Sequence, residues 1–153
     1  MSGITTKSPV PTSVTLPPDP LKKQVGGNHY KGFAIQPVEY IHQNQLGFLA
    51  GCIIKRVCRF NQPGGKGAED IQKVIHEIDL LIDQLHKGFE MKSVFTRYSD
   101  LPITPPVFCA ANGFNDCQLH IIQSVTHYNQ HHGYGVIQLR HAQEKAESLL
   151  LTI

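Results

Sequence analysis

The chain has 153 residues, enough for one compact domain or for two small halves that share a core. Its formal net charge of +2 is too small to indicate general nucleic-acid binding, although nine histidines make that charge sensitive to mildly acidic pH. No apolar run approaches the roughly twenty residues that span a bilayer, and the first residues lack the apolar core of a secretory signal. We therefore expect a cytoplasmic protein with no membrane partner.

Residues 1–24 are rich in proline, serine and threonine and show no helical period. Such a composition cannot bury enough apolar surface to offset the entropy lost by an ordered chain. We predict that this tail is disordered, or that it is ordered only against a partner.

Residues 25–88 contain the strongest helical pattern. Pro37 suits the first turn of a short helix, and a second helix is predicted over about 48–60. A glycine-rich turn at 61–67 then leads to a third helix over about 68–85. The apolar residues of this third helix recur at the 3.6-residue spacing of one buried face, and they are Ile71, Val74, Ile75, Ile78, Leu81, Ile82 and Leu85.

Residues 89–153 repeat this order of elements after a linker of mixed composition. Helices are predicted from Pro105, over about 115–129, and from about 136 to the C-terminus, with a glycine-containing turn at 133–135. No alternating strand pattern of convincing length occurs, so the predicted fold class is all-α.

The chain also matches itself when it is shifted by sixty-eight positions without a gap. The matched pairs are Tyr30 with Tyr98, Ile35 with Ile103, Pro37 with Pro105, Asn44 with Asn112, Ile53 with Ile121, Ile54 with Ile122, Val57 with Val125, Asn61 with Asn129, Gln62 with Gln130, Gly65 with Gly133, Gly67 with Gly135, and Leu81 with Leu149. One amphipathic hairpin cannot bury its apolar stripe alone, whereas two can pack face to face. We therefore predict two duplicated helical hairpins, packed as a pseudo-two-fold four-helix bundle with short extra helices.

The charged residues do not follow this repeat. The charged positions of the first half face neutral side chains or histidine in the second: Lys55 faces Gln123, Arg59 faces His127, Lys66 faces Tyr134, Glu69 faces Ile137, Asp70 faces Gln138, and Lys73 faces His141. We therefore place an ionic site in residues 25–88 and interpret residues 89–153 as a degenerate repeat that keeps only the scaffold.

Three cations of the first half could form a phosphate cradle. Lys55 and Arg59 are four residues apart and share one helix face, while Lys66 lies in the turn that feeds the third helix. The start of a helix offers backbone amides to anions, and arginine adds bidentate contacts. The alternative is that Lys55 and Arg59 are ordinary surface charges paired with Glu69 or Asp70. The turn is not a Walker A loop, because it follows a helix and lacks the required spacing.

Four neighbouring residues could complete the site. Asp70 could act as a base, orient a hydroxyl group or bind a metal ion, and His29 could serve in proton transfer. Tyr30 could stack on a base, or it could cap the core. Lys73 is a candidate phosphate ligand, although it lies four residues after Glu69 and could pair with it instead.

The four cysteines show no Cys-x-x-Cys spacing. This favours free, buried thiols in a reducing compartment. A zinc site that uses His120 is the weaker alternative, and we predict no metal site.

Four blocks of sequence occur in an order and spacing typical of one known family. They are His29 with Tyr30, the segment 35–41, Ile54 and Lys55 with Arg59, and the run from Lys66 through Glu69 and Asp70 to Lys73. Together they resemble the SaV-like domain of small bacteriophage proteins over residues 25–86. Members of that family usually have asparagine at the position of Cys52 and an aromatic residue at the position of Arg56.

One branch of this family comprises phage deoxynucleoside monophosphate kinases without a P-loop. The resemblance implies a phage protein of the host cytoplasm in which nucleotide contacts come from matching positions, namely His29, Lys55, Arg59, Lys66, Asp70 and Lys73. In such a kinase, His29 and Asp70 would be catalytic, and Lys55, Arg59, Lys66, Lys73 and Tyr30 would bind nucleotide or phosphate. A nucleotide phosphate donor would be required, and Mg²⁺ could accompany it.

Two other functions are compatible with the same residues. The protein could sequester a nucleotide or a nucleotide signal of the host without turnover, or it could bind a host protein through its N-terminal tail. We expect a homo-oligomer.

Overall fold

The structure, a computed structural model, describes residues 3, 16–27, 29–130 and 133–153. The greater part of the predicted disordered tail therefore lies outside the described residues. Near its end, Pro20–Lys22 form a short 3-10 turn.

Within the described ranges the chain forms six α-helices, two 3-10 turns and no strand, which confirms the all-α prediction. In chain order the helices are α1 Pro37–Gln43, α2 Phe48–Arg59, α3 Ala68–His86, α4 Pro105–Asn112, α5 Asp116–His127 and α6 Gly135–Leu150. The second 3-10 turn, Tyr98–Asp100, precedes α4. The bounds of α5 are those of α2 moved by sixty-eight residues. None of these helices is both long and apolar enough to cross a membrane.

Four of the helices enclose the core. Helix α2 packs on α3 and α5 on α6, while α3 contacts α6 and α2 contacts α5. Side chains with no exposed surface come from all four: Ile53, Ile54, Val57, Ile71, Val74, Ile78, Ile121, Ile122, Val125, Leu139, Ala142 and Ala146. Because full burial of one large aliphatic side chain stabilises a fold by roughly 1.5–3 kcal/mol, this core dominates the free energy of folding.

Two asparagines, the buried Asn44 and the partly buried Asn112, join the N-terminal and C-terminal halves. The Asn44 side chain donates to the carbonyl oxygen of Ile103 at 2.7 Å and accepts from its N–H at 3.1 Å. Asn112 binds Ile35 in the same way, at 2.8 and 3.2 Å. An amide that pairs with both backbone groups of one residue acts as a short piece of sheet ladder, so each half completes hydrogen bonds of the other.

An aromatic contact lies between the same short helices. The rings of Tyr40 in α1 and Phe108 in α4 stack with centroids 4.2 Å apart and an interplanar angle of 17°. The Tyr40 hydroxyl is 2.6 Å from the hydroxyl of Thr126 in α5, so the polar tip of this fully buried side chain is satisfied.

We expect Asn44→Leu to lower the free energy of unfolding by about 2–4 kcal/mol, because the N–H and the carbonyl group of Ile103 both lose their partner. The measurement is urea unfolding followed by circular dichroism. Gln43→Leu is the matched control, since Gln43 is the exposed last residue of α1 and directly precedes Asn44, and it should change the free energy of unfolding by less than about 0.5 kcal/mol. Equal effects of the two substitutions would contradict this account.

Candidate functional site

The predicted ionic site lies where α2 ends and α3 begins. The turn between them is tight. A Cβ atom on residue 65 would lie 1.9 Å from the carbonyl oxygen of Arg59, so only glycine fits at Gly65. Gly67, with a φ of +54°, enters α3 through a backbone conformation that favours glycine. The turn thus brings the last residue of α2 beside the first turn of α3.

Arg59 and Asp70 form a buried ion pair in this corner. The Nε atom of Arg59 lies 3.1 and 3.2 Å from the two carboxylate oxygens of Asp70, and Nη2 lies 2.8 Å from Oδ1. The backbone N–H of Lys66 donates to Oδ2 at 3.0 Å. Since the Asp70 side chain has 0% exposed surface, these bonds satisfy a carboxylate that water does not reach, and they hold the guanidinium in one orientation.

The ion pair stays charged at neutral pH. Burial by itself would raise the pKa of Asp70, but the hydrogen bonds from Arg59 and Lys66 and the positive charges of Arg59 and Arg56 outweigh it, so the net shift is downward. The hydrogen bond to Asp70 raises the pKa of Arg59.

A second ion pair extends the network along the two helices. Arg56 donates through Nε to both oxygens of Glu77 at 2.8 and 3.1 Å, and its Nη1 lies 3.6 Å from Asp70. We did not predict Arg56 and Glu77 as site residues. A signal was present, because Arg56 lies three residues before Arg59 and Glu77 seven after Asp70, which places each on the same helix face as its neighbour.

His29 and Tyr30 lie beside this network, held by a residue from the predicted tail. The Gln24 side chain accepts from the N–H of Tyr30 at 2.9 Å and lies 3.3 Å from Nδ1 of His29. The His29 and Tyr30 rings meet edge to face with centroids 4.2 Å apart, and Nζ of Lys55 lies 5.7 Å from the Tyr30 ring centroid. No pattern in the tail singled out Gln24, because a lone glutamine carries no spacing signal.

Burial raises the pKa of Tyr30, and the nearby positive charge of Arg59 opposes this shift only in part. Among the described residues the buried Tyr30 hydroxyl has no partner with good hydrogen-bond geometry, although Arg59 is close. The pKa of His29 is lowered by burial and by the positive charges of Arg59 and Lys55, against a smaller opposing effect of Asp70. His29 is therefore neutral at pH 7, with a ring nitrogen able to accept a proton.

The remaining cations lie on the surface. Nζ of Lys73 is 2.8 Å from Oε1 of Glu69, and Nζ of Lys66 is 3.7 Å from the same oxygen. The hydrogen bond from Lys73, followed by the charges of Lys66 and Lys73, lowers the pKa of the exposed Glu69. Lys66 and Lys73 thus both contact the carboxylate of Glu69, whereas Lys55 lies near the ring of Tyr30.

The backbone amides of the turn point inward. The N–H of Gly65 donates to the carbonyl oxygen of Gln62 at 2.8 Å, and that of Gly67 to Phe60 at 3.0 Å. The N–H of Lys66 is bound by Asp70, as described above. These three N–H groups of the turn, including the one bound by Asp70, are therefore engaged within the protein, and the side chains around the turn are the groups we consider for anion binding.

A cavity of about 340 Å³ lies beside His29 and is lined also by Phe33, Gln62 and Asn112. All four cysteines are free. Within the described part of the chain, no group of three or more histidine, cysteine, aspartate or glutamate side chains is placed to hold a metal ion.

Comparison of the chain with protein-family models, with curated proteins and with solved structures found no match. The resemblance to the SaV-like family therefore stays a prediction that rests on the four sequence blocks.

We expect Asp70→Asn to lower the free energy of unfolding by about 3–5 kcal/mol at pH 7, because it leaves Arg59 without its anionic partner in a mostly buried position. The control is Asp83→Asn, which removes an exposed partner of Lys87 at 2.8 Å and should cost at most about 1 kcal/mol. The folded-state pKa of Asp70 lies below its unfolded value. The stabilisation that the ionised Asp70 contributes is therefore complete above about pH 4–5 and is lost as the pH falls through the folded pKa. The measurement is urea unfolding of the wild type and of Asp70→Asn from pH 7 to pH 3. The difference between their free energies of unfolding should shrink only in the acid range.

We expect the ring of His29 to titrate below the ordinary histidine pKa of about 6.5. Lys55→Gln should move this pKa upward, since it removes one of the positive charges that lower it, whereas Lys87→Gln on the distant surface should leave it unchanged. The measurement is a pH titration of the histidine ring resonances by NMR. A His29 pKa at or above about 6.5 in the wild type would contradict the placement of His29 in a partly buried position beside the positive charges of Arg59 and Lys55.

Proposed function

We propose that the protein binds a nucleotide at the junction of α2 and α3, which we call the Arg59 corner and which contains Arg59, Asp70, Lys55, Lys66 and His29, and that it transfers phosphate there to deoxynucleoside monophosphates without a P-loop. The observation that carries this proposal is the guanidinium of Arg59, which two hydrogen-bonding nitrogens fix to a fully buried carboxylate. A preoriented guanidinium beside exposed cations is the arrangement that phosphate recognition needs.

The remaining edge of Arg59 is the proposed phosphate contact. Asp70 binds Nε and Nη2, which leaves the Nη1 group outside this pair, and the Arg59 side chain is 20% exposed. The exposed side chains of Lys55 and Lys66 would add point charge from either side. Because the guanidinium is already immobilised, little conformational entropy is lost when phosphate binds, and its charge is in place for the developing charge of phosphoryl transfer.

His29 and Asp70 would have different roles in this reaction. In the transfer, an oxygen of the acceptor monophosphate attacks the terminal phosphorus of the donor, whose bridging P–O bond breaks, so that the acceptor becomes a diphosphate. His29 would accept the proton of an acceptor phosphate that arrives singly protonated, because its ring is neutral at pH 7. Asp70 would act as a positioning residue through Arg59, since its own oxygens are fully buried.

Tyr30 and Lys73 would contribute at the margins of the site. The Tyr30 ring lies between His29 and Lys55 and would face the nucleoside. Lys73 would reach phosphate by leaving its exposed pair with Glu69, which has little energetic cost. The described residues do not form a three-ligand acidic site, so Mg²⁺ would enter with the donor's phosphates.

The pairing of the acidic groups favours a second candidate, a binding protein without turnover. Asp70, Glu77 and Glu69 each accept a hydrogen bond from a cation of the protein itself. A site that offers cations but uses its carboxylates internally suits the sequestration of a nucleotide or of a host nucleotide signal. Interaction of the tail with a host protein and assembly into a homo-oligomer stay predictions.

We also propose that the two halves are fused copies related by a pseudo-two-fold axis. The matching bounds of α2 and α5 support this, as do the reciprocal bonds of Asn44 and Asn112. Tyr40 and Phe108, which stack on each other, are also sixty-eight residues apart. A contact between two equivalent positions is what a two-fold axis produces.

We expect the wild-type protein, incubated with dTMP or dGMP, ATP and Mg²⁺, to form the corresponding deoxynucleoside diphosphate, measured by chromatography. Arg59→Lys should reduce the rate by about a hundredfold, because lysine supplies charge without the bidentate geometry. Lys87→Gln is the control for a surface cation and should keep the wild-type rate.

The outcomes separate the candidates. Binding heat without diphosphate product, lost in Arg59→Lys, would replace the kinase by the sequestering protein. Absence of both product and binding heat for every nucleotide tested would overturn the proposed function. Circular dichroism of each variant establishes that the loss is not one of folding.

A further inference from the structure

A cavity of about 970 Å³ lies in the half of the chain that we predicted to be scaffold only. We call it the second-half cavity, and the residues that line it include Arg97, Tyr98, Gln123, Ser124, His127, Gln138 and Lys145. It is larger than the cavity of about 340 Å³ beside His29. It uses none of the residues assigned to the Arg59 corner.

The position of the second-half cavity follows from the internal repeat. His127, Gln138 and Ser124 lie sixty-eight residues after Arg59, Asp70 and Arg56. In the first half, two guanidinium groups and their carboxylate partners fill this space between the helices. The side chains of Ser124 and His127 are shorter than those of the two arginines. The space between the helices of the second half therefore stays open.

One wall of the cavity is a fixed aromatic pair. The rings of Tyr98 and His127 stack with centroids 4.6 Å apart and an interplanar angle of 29°. Nδ1 of His127 is 2.5 Å from the side-chain oxygen of Gln130, whose amide nitrogen donates to the carbonyl of Phe95 at 3.2 Å. The imidazole is therefore held in place, and such an aromatic surface suits a planar ring.

Side-chain amides supply hydrogen-bonding groups around this surface. Gln123 and Gln138 both line the cavity. The side-chain oxygen of Gln138 is buried and has no hydrogen-bond partner among the described residues. An oxygen without a partner among the described residues gives up no bond there when it meets a ligand, and a side-chain amide offers both a donor and an acceptor.

The charge of the cavity favours an anion. Arg97 and Lys145 lie among its lining residues, and none of the described lining residues is acidic. Two carboxylates lie nearby, with Asp100 at 3.5 Å from Arg97 and Glu144 at 3.8 Å from His141, but the side chains of both pairs are largely exposed. Exposed pairs of this kind are weak, so Lys145 and Arg97 stay available for a bound anion.

We infer that the second-half cavity is a ligand site for a planar nitrogen heterocycle that carries a phosphate, that is, for a ligand of the nucleotide class. The Tyr98 and His127 pair would take the ring, the amides of Gln123 and Gln138 its polar edge, and Lys145 with Arg97 the phosphate. This site would exist whether or not the Arg59 corner catalyses phosphate transfer.

The test is a titration of the labelled full chain with AMP, adenosine and inorganic phosphate, each followed by NMR. AMP should shift the ring resonances of Tyr98 and His127 and the side-chain amides of Gln123 and Gln138. Adenosine should shift the same signals with weaker affinity, and inorganic phosphate alone should leave the ring signals unmoved. Shifts of the rings by phosphate alone, or no shift with AMP at millimolar concentration, would overturn the assignment.

Two pairs of variants place the ligand. Ser124→Phe should occupy part of the cavity and weaken AMP binding at least about tenfold, while Ser148→Phe, on an exposed position of α6, should not. Gln138→Leu should weaken binding without loss of thermal stability, whereas the exposed control Gln72→Leu should change neither. Unchanged AMP affinity in both Ser124→Phe and Gln138→Leu would refute the site.

Arg59→Lys separates this inference from the proposed function. The variant should keep the AMP shifts at Tyr98 and His127, because the two sites share no residue. Loss of those shifts in Arg59→Lys, with both Ser124→Phe and Gln138→Leu unaffected, would assign AMP to the Arg59 corner and overturn the second site.

Discussion

The ion pair between Arg59 and Asp70 is the constraint on which the arrangement of the site depends. A carboxylate without exposed surface has to be satisfied inside the protein, and here the guanidinium and the N–H of Lys66 do so. These bonds require that α2 and α3 meet closely, which the missing side chain of Gly65 allows. The same bonds engage the N–H group of Lys66, which lies in the turn.

The two halves use equivalent positions in different ways. In the first half, opposite charges close the space between the helices. In the second, imidazole and amide groups replace them and a cavity remains. Both arrangements rest on the same core, and Asn44 and Asn112 tie each half to the backbone of the other. The proposed duplicated scaffold would thus support two chemically distinct surfaces, one ionic and one polar and aromatic.

Much of the fold could be predicted because its signals are local. The apolar period of α3 and the glycines before it set that helix within a residue of the predicted bounds. The charge asymmetry also singled out Arg59 and Asp70, which pair in the structure. Gln24 and the second-half cavity could not be predicted in this way. Gln24 acts through a contact with a turn, and the cavity results from side chains that are too short to fill a space whose size depends on helix packing.

The amino-acid sequence by itself determined the helical class, the approximate helix bounds and the clustering of Lys55, Arg59 and Asp70 in the first half. Periodicity and residue type act within a few turns of chain, so these features can be derived locally. Only the tertiary structure decided which carboxylate each arginine meets, and that the N–H groups of Gly65, Lys66 and Gly67 bind groups of the protein itself. It also decided that the half without the Arg59 and Asp70 ion pair contains a cavity larger than the one beside His29. The physical reason is that pairing and free volume depend on the distance between helices, which no single segment encodes.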